Sequence, residues 1–465
     1  MPTDEPILKP IPKLKELPLI GSTVDFIRNP LGLMGHCRQQ YDRLVQFTVV
    51  GRNLLLTLTP EDAKQVLQEN NKNYVKSLAY DVLKTFLGNG LLTSEGDFWR
   101  RQRRLAQPAF HRQRLALLVD GMVEETAELI RQCRQQDLAT PVDISNEMMK
   151  LTLAIVTRSL FSSDVKAHLN NVSDSLDTIM HTAYKELFNI FPITRQLPVP
   201  RTIWFRKAVS QVETVIYEII NQRRAAGNGA RHDDLLAMLM EARDEETGEQ
   251  MTNQQLRDEV TTIFMAGHET TANALSWALY LLAQHPDVVR KMRDEIAQVL
   301  GSDSRPTAEN LRGLPYTLQV VQEVLRLYPP AWVVSRRPLG SDQFGDYPVA
   351  VPGIDVVLVA PYILHRDPRH WHSPEAFDPE HFSPDHVKDR PTYAYLPFGG
   401  GPRICIGNNF ALMEMQVALA MLIQAFDFGL TGSAPVEPEP GITLRPKGGM
   451  QLRVSAPDRR GERAA

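Results

Sequence analysis

Along most of the chain, apolar residues return every three or four positions, the spacing that gathers them on one face of an α-helix. Thr252 to His285 is the longest such stretch, with Leu256, Val260, Ile263, Phe264, Gly267, Thr271 and Leu275 in step. Thr252 followed three residues later by Gln255 predicts a capping box, and His285-Pro286 predicts a stop. A helix this long and apolar is expected to cross the interior. Pro315–Leu327 reads as a second apolar helix and Phe410–Phe426 as a third. Further helices are expected from Trp99 to about Arg134, as two or more over 142–190, and from Trp204 to Arg224. Pro192, Pro198 and Pro200 mark a break, and Gly227–His232 reads as a polar loop.

Strand patterns are fewer. LVQFTVVG and NLLLTLT, separated by a turn at Gly51–Asn53, predict a hairpin, and Glu61–Gln68 a short helix after it. Residues 71–98 read as irregular, with Gly88, Gly90 and Gly96 interrupting an apolar stretch, and such a loop suits the cover of a pocket. GIDVVLVAPYI, residues 353–363, has the β-branched character of a buried strand. Residues 364–400 read as an extended meander. The expected class is mainly α with minor β. Without repeats or a dividing linker, residues 1–465 are expected to form one domain, with flexible ends at 1–14 and 456–465.

Composition narrows this picture. The 465 residues are 43% apolar and 23% charged, as in an ordinary soluble globular protein. A net charge of −4 argues against a dedicated nucleic-acid binder. The proline-rich start has no long apolar run, so neither a signal peptide nor a membrane anchor is expected. Cys37, Cys133 and Cys405 are far apart and form no C-x-x-C, which disfavours a zinc site or a disulfide framework and suggests a reducing compartment such as the cytoplasm.

Cys405 carries the strongest chemical signal. It lies in Phe398-Gly399-Gly400-Gly401-Pro402-Arg403-Ile404-Cys405-Ile406-Gly407, a glycine-rich turn just before an apolar helix. Such a turn can bring the backbone close to a flat cofactor and aim N–H groups at a thiolate. Taken alone, the loop also fits a free, small buried cysteine. The long helix carries Ala266-Gly267-His268-Glu269-Thr270-Thr271 at its middle, small and polar residues that interrupt its apolar pattern. Interior glycine, and a threonine bonding the carbonyl four residues back, would open a local groove there. An alcohol beside an acid suits a proton relay. Glu323 and Arg326, three apart among Val320, Val321, Val324 and Leu325, predict a buried ion pair. Trp99 and Arg103, four apart, share a helical face in a basic cluster with Arg100, Arg101 and Arg104.

These segments, in this order, resemble the motifs of the cytochrome P-450 family: W-x-x-x-R, A-G-x-E-T-T, E-x-x-R and F-x-x-G-x-R-x-C-x-G, over roughly residues 15 to 455. The resemblance implies a triangular, mainly helical prism with small β-sheets. It implies haem b (iron protoporphyrin IX) between the long helix and the cysteine loop, Cys405 being the metal ligand of a haem-thiolate mono-oxygenase. Thr270 then corresponds to the oxygen-contacting alcohol and Glu269 to the acid of the relay. Trp99, Arg103, Arg403 and Arg336 match propionate-binding positions, Phe398 and Gly407 belong to the cofactor loop, and Arg337 could replace Arg336. The family usually completes the E-x-x-R network with the arginine of P-E-R-F. Here the segment is Pro379-Glu380-His381-Phe382, which leaves the protonation of His381 open.

The implied reaction inserts one oxygen atom of O2 into a hydrophobic substrate. Two electrons would come through a separate ferredoxin or flavodoxin with an NAD(P)H-dependent reductase, docking on Arg100, Arg101 and Arg104. Leu92, Phe264, Ala266, Trp332, Val333 and Val334 are the expected pocket lining, and the resembled branch suggests a fatty acid, carotenoid or other terpenoid. A peroxide-driven peroxygenase or a haem isomerase would share the fold but typically lacks the acid–alcohol pair. A non-catalytic haem sensor would have no need of it. The histidines of 365–372 lack helical ligand spacing and are not expected to bind metal.

Overall fold

Thr252 begins the longest helix, Asn253–Leu282, as its spacing predicts: Gln255 N donates to Thr252 Oγ1, and Thr252 N donates to Gln255 Oε1. Thirty residues rise about 45 Å. In the computed structural model, which describes residues 9–136, 139–161, 169–187, 200–226, 234–244, 246–301 and 305–457, this helix runs through the main core. Helices Ile144–Phe161, Pro315–Leu327 and Asn408–Ala425 pack against it, and Pro286–Leu300 follows its stop. Trp277 stacks on Tyr328, ring centroids 3.8 Å apart. Pro315–Leu327 keeps its expected bounds, and helix Pro200–Ala226 contains the expected 204–224. The break at Pro192 and Pro198 and the loop Gly227–His232 lie outside the described residues.

A five-stranded sheet flanks the helices in the order Leu44–Val49, Arg52–Thr57, Val356–Val359, Val334–Pro338, Tyr74–Lys76. The hairpin register, Val49↔Arg52, puts the turn at Val50 and Gly51, one residue earlier than expected. Both turn residues have positive φ, 51° and 71°, the handedness that matches strand twist. Val356–Val359 is the expected buried strand and pairs on both sides.

Residues 71–98 are more ordered than their glycines imply. They hold strand Tyr74–Lys76 and helix Ala79–Leu87, which buries Val82, Phe86 and Leu87. Gly88, at φ +68°, ends that helix, so the glycine marks a boundary rather than irregularity. The start of the chain is also tied down: Leu14 N donates to Gln46 O, Gln46 N to Pro12 O, and Lys9 pairs with Asp346 at 3.0 Å. Residues 1–8 and 458–465 are outside the described residues. The pattern also missed a hairpin of Pro438–Pro440 with Leu444–Pro446 and a three-stranded sheet of Val142–Asp143, Gln451–Ser455 and Asp427–Leu430. Most of these strands span only two to four residues; Gln451–Ser455 does alternate, with Leu452 and Val454 buried.

Candidate active site

Two features shape the cysteine loop. Cys405 N donates to Phe398 O at 2.9 Å, closing the turn. Gly401 sits at φ +65°, where a Cβ would strike the carbonyl of Leu67, so only glycine lets the loop lie against that neighbour. Cys405 is exposed on one side. Burial of the rest raises its thiol pKa, while the Gly407 N–H and the Arg103 guanidinium pull the other way. Gly407 is also the N-cap of helix Asn408–Ala425, whose positive end favours a thiolate. Arg103 Nη1 donates to Ile404 O at 2.7 Å, binding the basic helix Gly96–Ala106 to the loop.

Cations converge beside this loop. Lys76 stands directly opposite Arg336 in the antiparallel ladder of Tyr74–Lys76 with Val334–Pro338. Like charges at that spacing repel. Arg403 stacks on Trp99, 4.3 Å from the ring centroid, and pairs with Glu95. Burial, then Arg403, then Arg336, push the Lys76 pKa well below the usual lysine range. Lys76 also feels Glu259 of the long helix, so it lies between that helix and the cysteine loop. Arg336 is buried, whereas Arg337, next on the strand, turns to the other face and is exposed. Sequence reasoning missed Lys76, because its partners come from three distant segments; no signal within Tyr74-Val75-Lys76 marks it. One thiol with N–H support, and surplus cations to one side of it, form a donor set that fits an iron porphyrin with its two carboxylates.

The long helix presents Ala266 exposed, with Ile263, Gly267 and Thr270 partly so, in the middle of an otherwise buried element. That stripe borders an internal cleft. Thr270 Oγ1 donates to Ala266 O at 2.6 Å, the expected back-bond. The helix is unbroken through this stretch, and Gly267 is used for close packing, its missing Cβ leaving room for Val156 Cγ2. His268 is buried, Nε2–H donating to Met149 O at 3.1 Å, and burial lowers its pKa to about 4, so the ring is neutral. Glu269 is 8% exposed, and its Oε1 accepts from Thr443 Oγ1 at 2.6 Å.

Behind the loop, Arg326 spends all five N–H donors. Two go to the two oxygens of Glu323 at 2.7 Å, and three to the carbonyls of His365, Pro374 and Ala376. Both residues are 0% exposed. His381 Nδ1 lies 3.1 Å from Glu323 Oε1 and Nε2 lies 2.6 Å from His372 O, so the ring bridges the carboxylate to the meander where the family pattern has arginine. Arg390 adds a cation beside it, stacked on Trp371 with its guanidinium 3.7 Å from the ring centroid. His365 uses both ring nitrogens on backbone: Nδ1–H donates to Arg326 O, and Leu396 N donates to Nε2.

The expected pocket residues divide. Leu92 and Ala266 are exposed, and Val333 and Val334 half-buried. Phe264 is 3% exposed and packs on Phe161, on another face from Ala266; Ile263 takes its place on the cleft stripe. Trp332 is 5% exposed in a second core cluster, its Nε1–H donating to Gly441 O at 2.9 Å. Neither lines the cleft, because helical and strand periodicity turn them inward. The proposed docking arginines are also claimed within the chain: Arg101 by Glu249, Arg104 by Asp244 and Glu246, and Arg100 by Asp97. Arg104 beside it holds the Asp244 carboxyl down to about 2.

Residues 11–453 match the family model described as Cytochrome P450. Cyclooctatin synthase of Streptomyces melanosporofaciens is 34% identical, over 94% of this chain and 92% of its own length. Cyclooctat-9-en-7-ol 5-monooxygenase of the same organism is 32% identical, over 92% of this chain and 90% of its own. Protein LUTEIN DEFICIENT 5, chloroplastic, of Arabidopsis thaliana is 32% identical, over 89% of this chain and 72% of its own. The crystal structure of the cytochrome P450DA heme domain superposes with a TM-score of 0.87 at 26% identity, covering 97% of this chain and 98% of that one.

Proposed function

We propose, from the premise that this chain belongs to the cytochrome P450 family of haem mono-oxygenases, that it hydroxylates a terpenoid or other long apolar lipid with electrons from separate redox proteins. The observation that carries the reading is the pairing of one exposed thiol, Cys405, in an N–H-lined loop with a long helix whose cleft face bears Thr270. Bound haem supplies the activation of O2 and the insertion of one oxygen atom into a C–H bond.

The residues around it have separable tasks. Cys405 would hold the metal as thiolate, its charge eased by the Gly407 N–H, the helix terminus and Arg103. Lys76, Arg336 and Arg403 would bind the cofactor's carboxylates, with Trp99 stacked behind Arg403 and Arg103 tying the loop to its helix. A bound carboxylate would ease the repulsion between Lys76 and Arg336. Thr270 donates its own proton to Ala266 O, so its oxygen can accept a proton from Glu269 and release its own toward the cleft.

Leu92, Ile263, Ala266, Val333 and Val334 make an apolar lining, which favours an apolar substrate. Two similar proteins named for cyclooctatin chemistry, and one named for lutein, point toward terpenoids. Since Arg101 and Arg104 are paired internally, a ferredoxin or flavodoxin is expected to dock elsewhere.

A screen of terpenoids and fatty acids for a blue shift of the Soret band, followed by turnover with a surrogate ferredoxin and reductase, tests the substrate class. Thr270→Ala should keep the shift but lower product per electron pair by about tenfold or more. A reduced, carbon-monoxide-treated protein without the thiolate-haem absorbance would end the reading.

A further inference from the structure

Glu269 and Thr270 are neighbours in sequence but serve different spaces. Successive side chains on a helix diverge by about 100°. Thr270 lies on the cleft stripe with Ala266. Glu269 turns instead to the tip of the hairpin Pro438–Pro440 with Leu444–Pro446, where it accepts from Thr443 Oγ1 at 2.6 Å. Thr443 Oγ1 in turn accepts from Asn273 Nδ2 at 3.1 Å. That bond orients the hydroxyl, so its proton points to Glu269. All three residues are under 9% exposed.

The hairpin tip cannot drift. Trp332 Nε1 donates to Gly441 O at 2.9 Å, and Leu444 N donates to Pro330 O at 3.0 Å. Beside it, Glu269 borders a cavity of about 470 Å³ whose lining includes Met149, Met265, His268, His181 and Arg445 but not Thr270. His181 is exposed, so the cavity reaches solvent. Arg445 pairs with Glu439 at 2.7 Å, and His268 is neutral.

We propose that Thr443 is a positioning residue that parks the relay acid in this second cavity, and that the cavity is where Glu269 collects protons from water. The inference rests on the reading of Glu269 and Thr270 as the relay. In each cycle a cavity water, itself resupplied from bulk, gives H⁺ to the Glu269 carboxylate, forming the neutral acid. The Thr443 bond to it weakens with the loss of charge, and the side chain rotates toward Thr270. The acid's O–H proton passes to Thr270 Oγ1, which releases its own to the acceptor in the cleft. The carboxylate then returns to Thr443. One proton enters and one leaves, and no side chain changes oxidation state.

The test compares Thr443→Val, nearly equal in volume but without a donor, with Thr443→Ser, which restores it, in the full-length holoenzyme. First, the infrared carboxylate band of Glu269 in the resting protein, identified by its loss in Glu269→Gln, should shift in Thr443→Val and return in Thr443→Ser. Second, peroxide released per electron pair should rise about threefold or more in Thr443→Val, with an enlarged D2O effect on product formation, and recover in Thr443→Ser. An unmoved band, or an unchanged peroxide ratio, overturns the proposal. If Thr443→Val does not retain haem, Asn273→Leu, which removes only the group that orients the hydroxyl, is read the same way. Thr270→Ala run alongside separates the two readings. If it uncouples while Thr443→Val does not, only the positioning role falls; if neither uncouples, the relay falls as well.

Discussion

Two buried charged assemblies flank the cysteine loop, and they are built on opposite rules. Around Arg326 every donor meets a protein acceptor: two oxygens of Glu323, three carbonyls, and His381 completing the carboxylate. Around Lys76 the chain sets cation against cation, with Arg336 across the ladder and Arg403 near, and one carboxylate, Glu95, paired with Arg403. Each cation donates to backbone carbonyls, Lys76 to Leu91 O and Leu92 O, Arg336 to Ser335 O and Arg403 to Ser94 O, but these bonds do not balance the charge. The first closes on itself and holds the meander to helix Pro315–Leu327. The second keeps a surplus of positive charge that an entering anion would relieve. Charge that is matched in sign reports architecture; a surplus of one sign points to a ligand.

Removing a partner should separate the two. Arg326→Leu strands Glu323 in the core and should cost about 3–5 kcal/mol in urea unfolding, with little folded protein recovered. A loss below about 1 kcal/mol would mean that the network is not what holds the meander.

Glu259 lies between the two cases. It accepts from Leu91 N at 3.0 Å, and burial, opposed by that bond, lifts its pKa from 4.5 to about 7. Its folded pKa is thus above its unfolded one, so the native state binds more protons between these values. Stability from this group is complete below about pH 4.5 and is lost as pH rises through 7. Glu259→Gln keeps an acceptor for Leu91 and cannot ionise. It should therefore stabilise the protein by about 2–3 kcal/mol at pH 8 and hardly at all near pH 4.5. Equal effects at both pH values in urea unfolding would refute this.

Arg336→Met should do something Arg326→Leu cannot: release haem about tenfold faster to a scavenging protein while leaving the haem-free chain within about 1 kcal/mol of its starting stability. Arg337→Ala, one residue away on the exposed face, should change neither by a measurable amount. If the two substitutions behave alike, the strand's facing has been misassigned.

The motifs that sequence reveals are those whose parts are close in the chain. The Thr252 capping box, the Glu323–Arg326 pair and the glycine turn before Cys405 each lie within about one or two helical turns, so spacing alone fixes which side chains can meet. His381 was visible as a departure, but its partners, Glu323 and His372 O, are brought to its ring only by folding. Phe264 and Ile263 are adjacent and both apolar, so pattern could not say which faces the cleft. Arg101 and Arg104 looked like a docking patch because Asp244, Glu246 and Glu249, which claim them, are some 140 residues away in sequence.

Sequence by itself determined the family, the glycine turn that presents Cys405 and the long capped helix, since local spacing dictates hydrogen-bond rings and helical faces. Tertiary structure alone decided that Lys76 opposes Arg336, that Thr443 bonds Glu269 and that Arg101 and Arg104 are already paired. These contacts join segments separated by up to hundreds of residues. Their energies depend on distance and burial in space, quantities that no local pattern encodes.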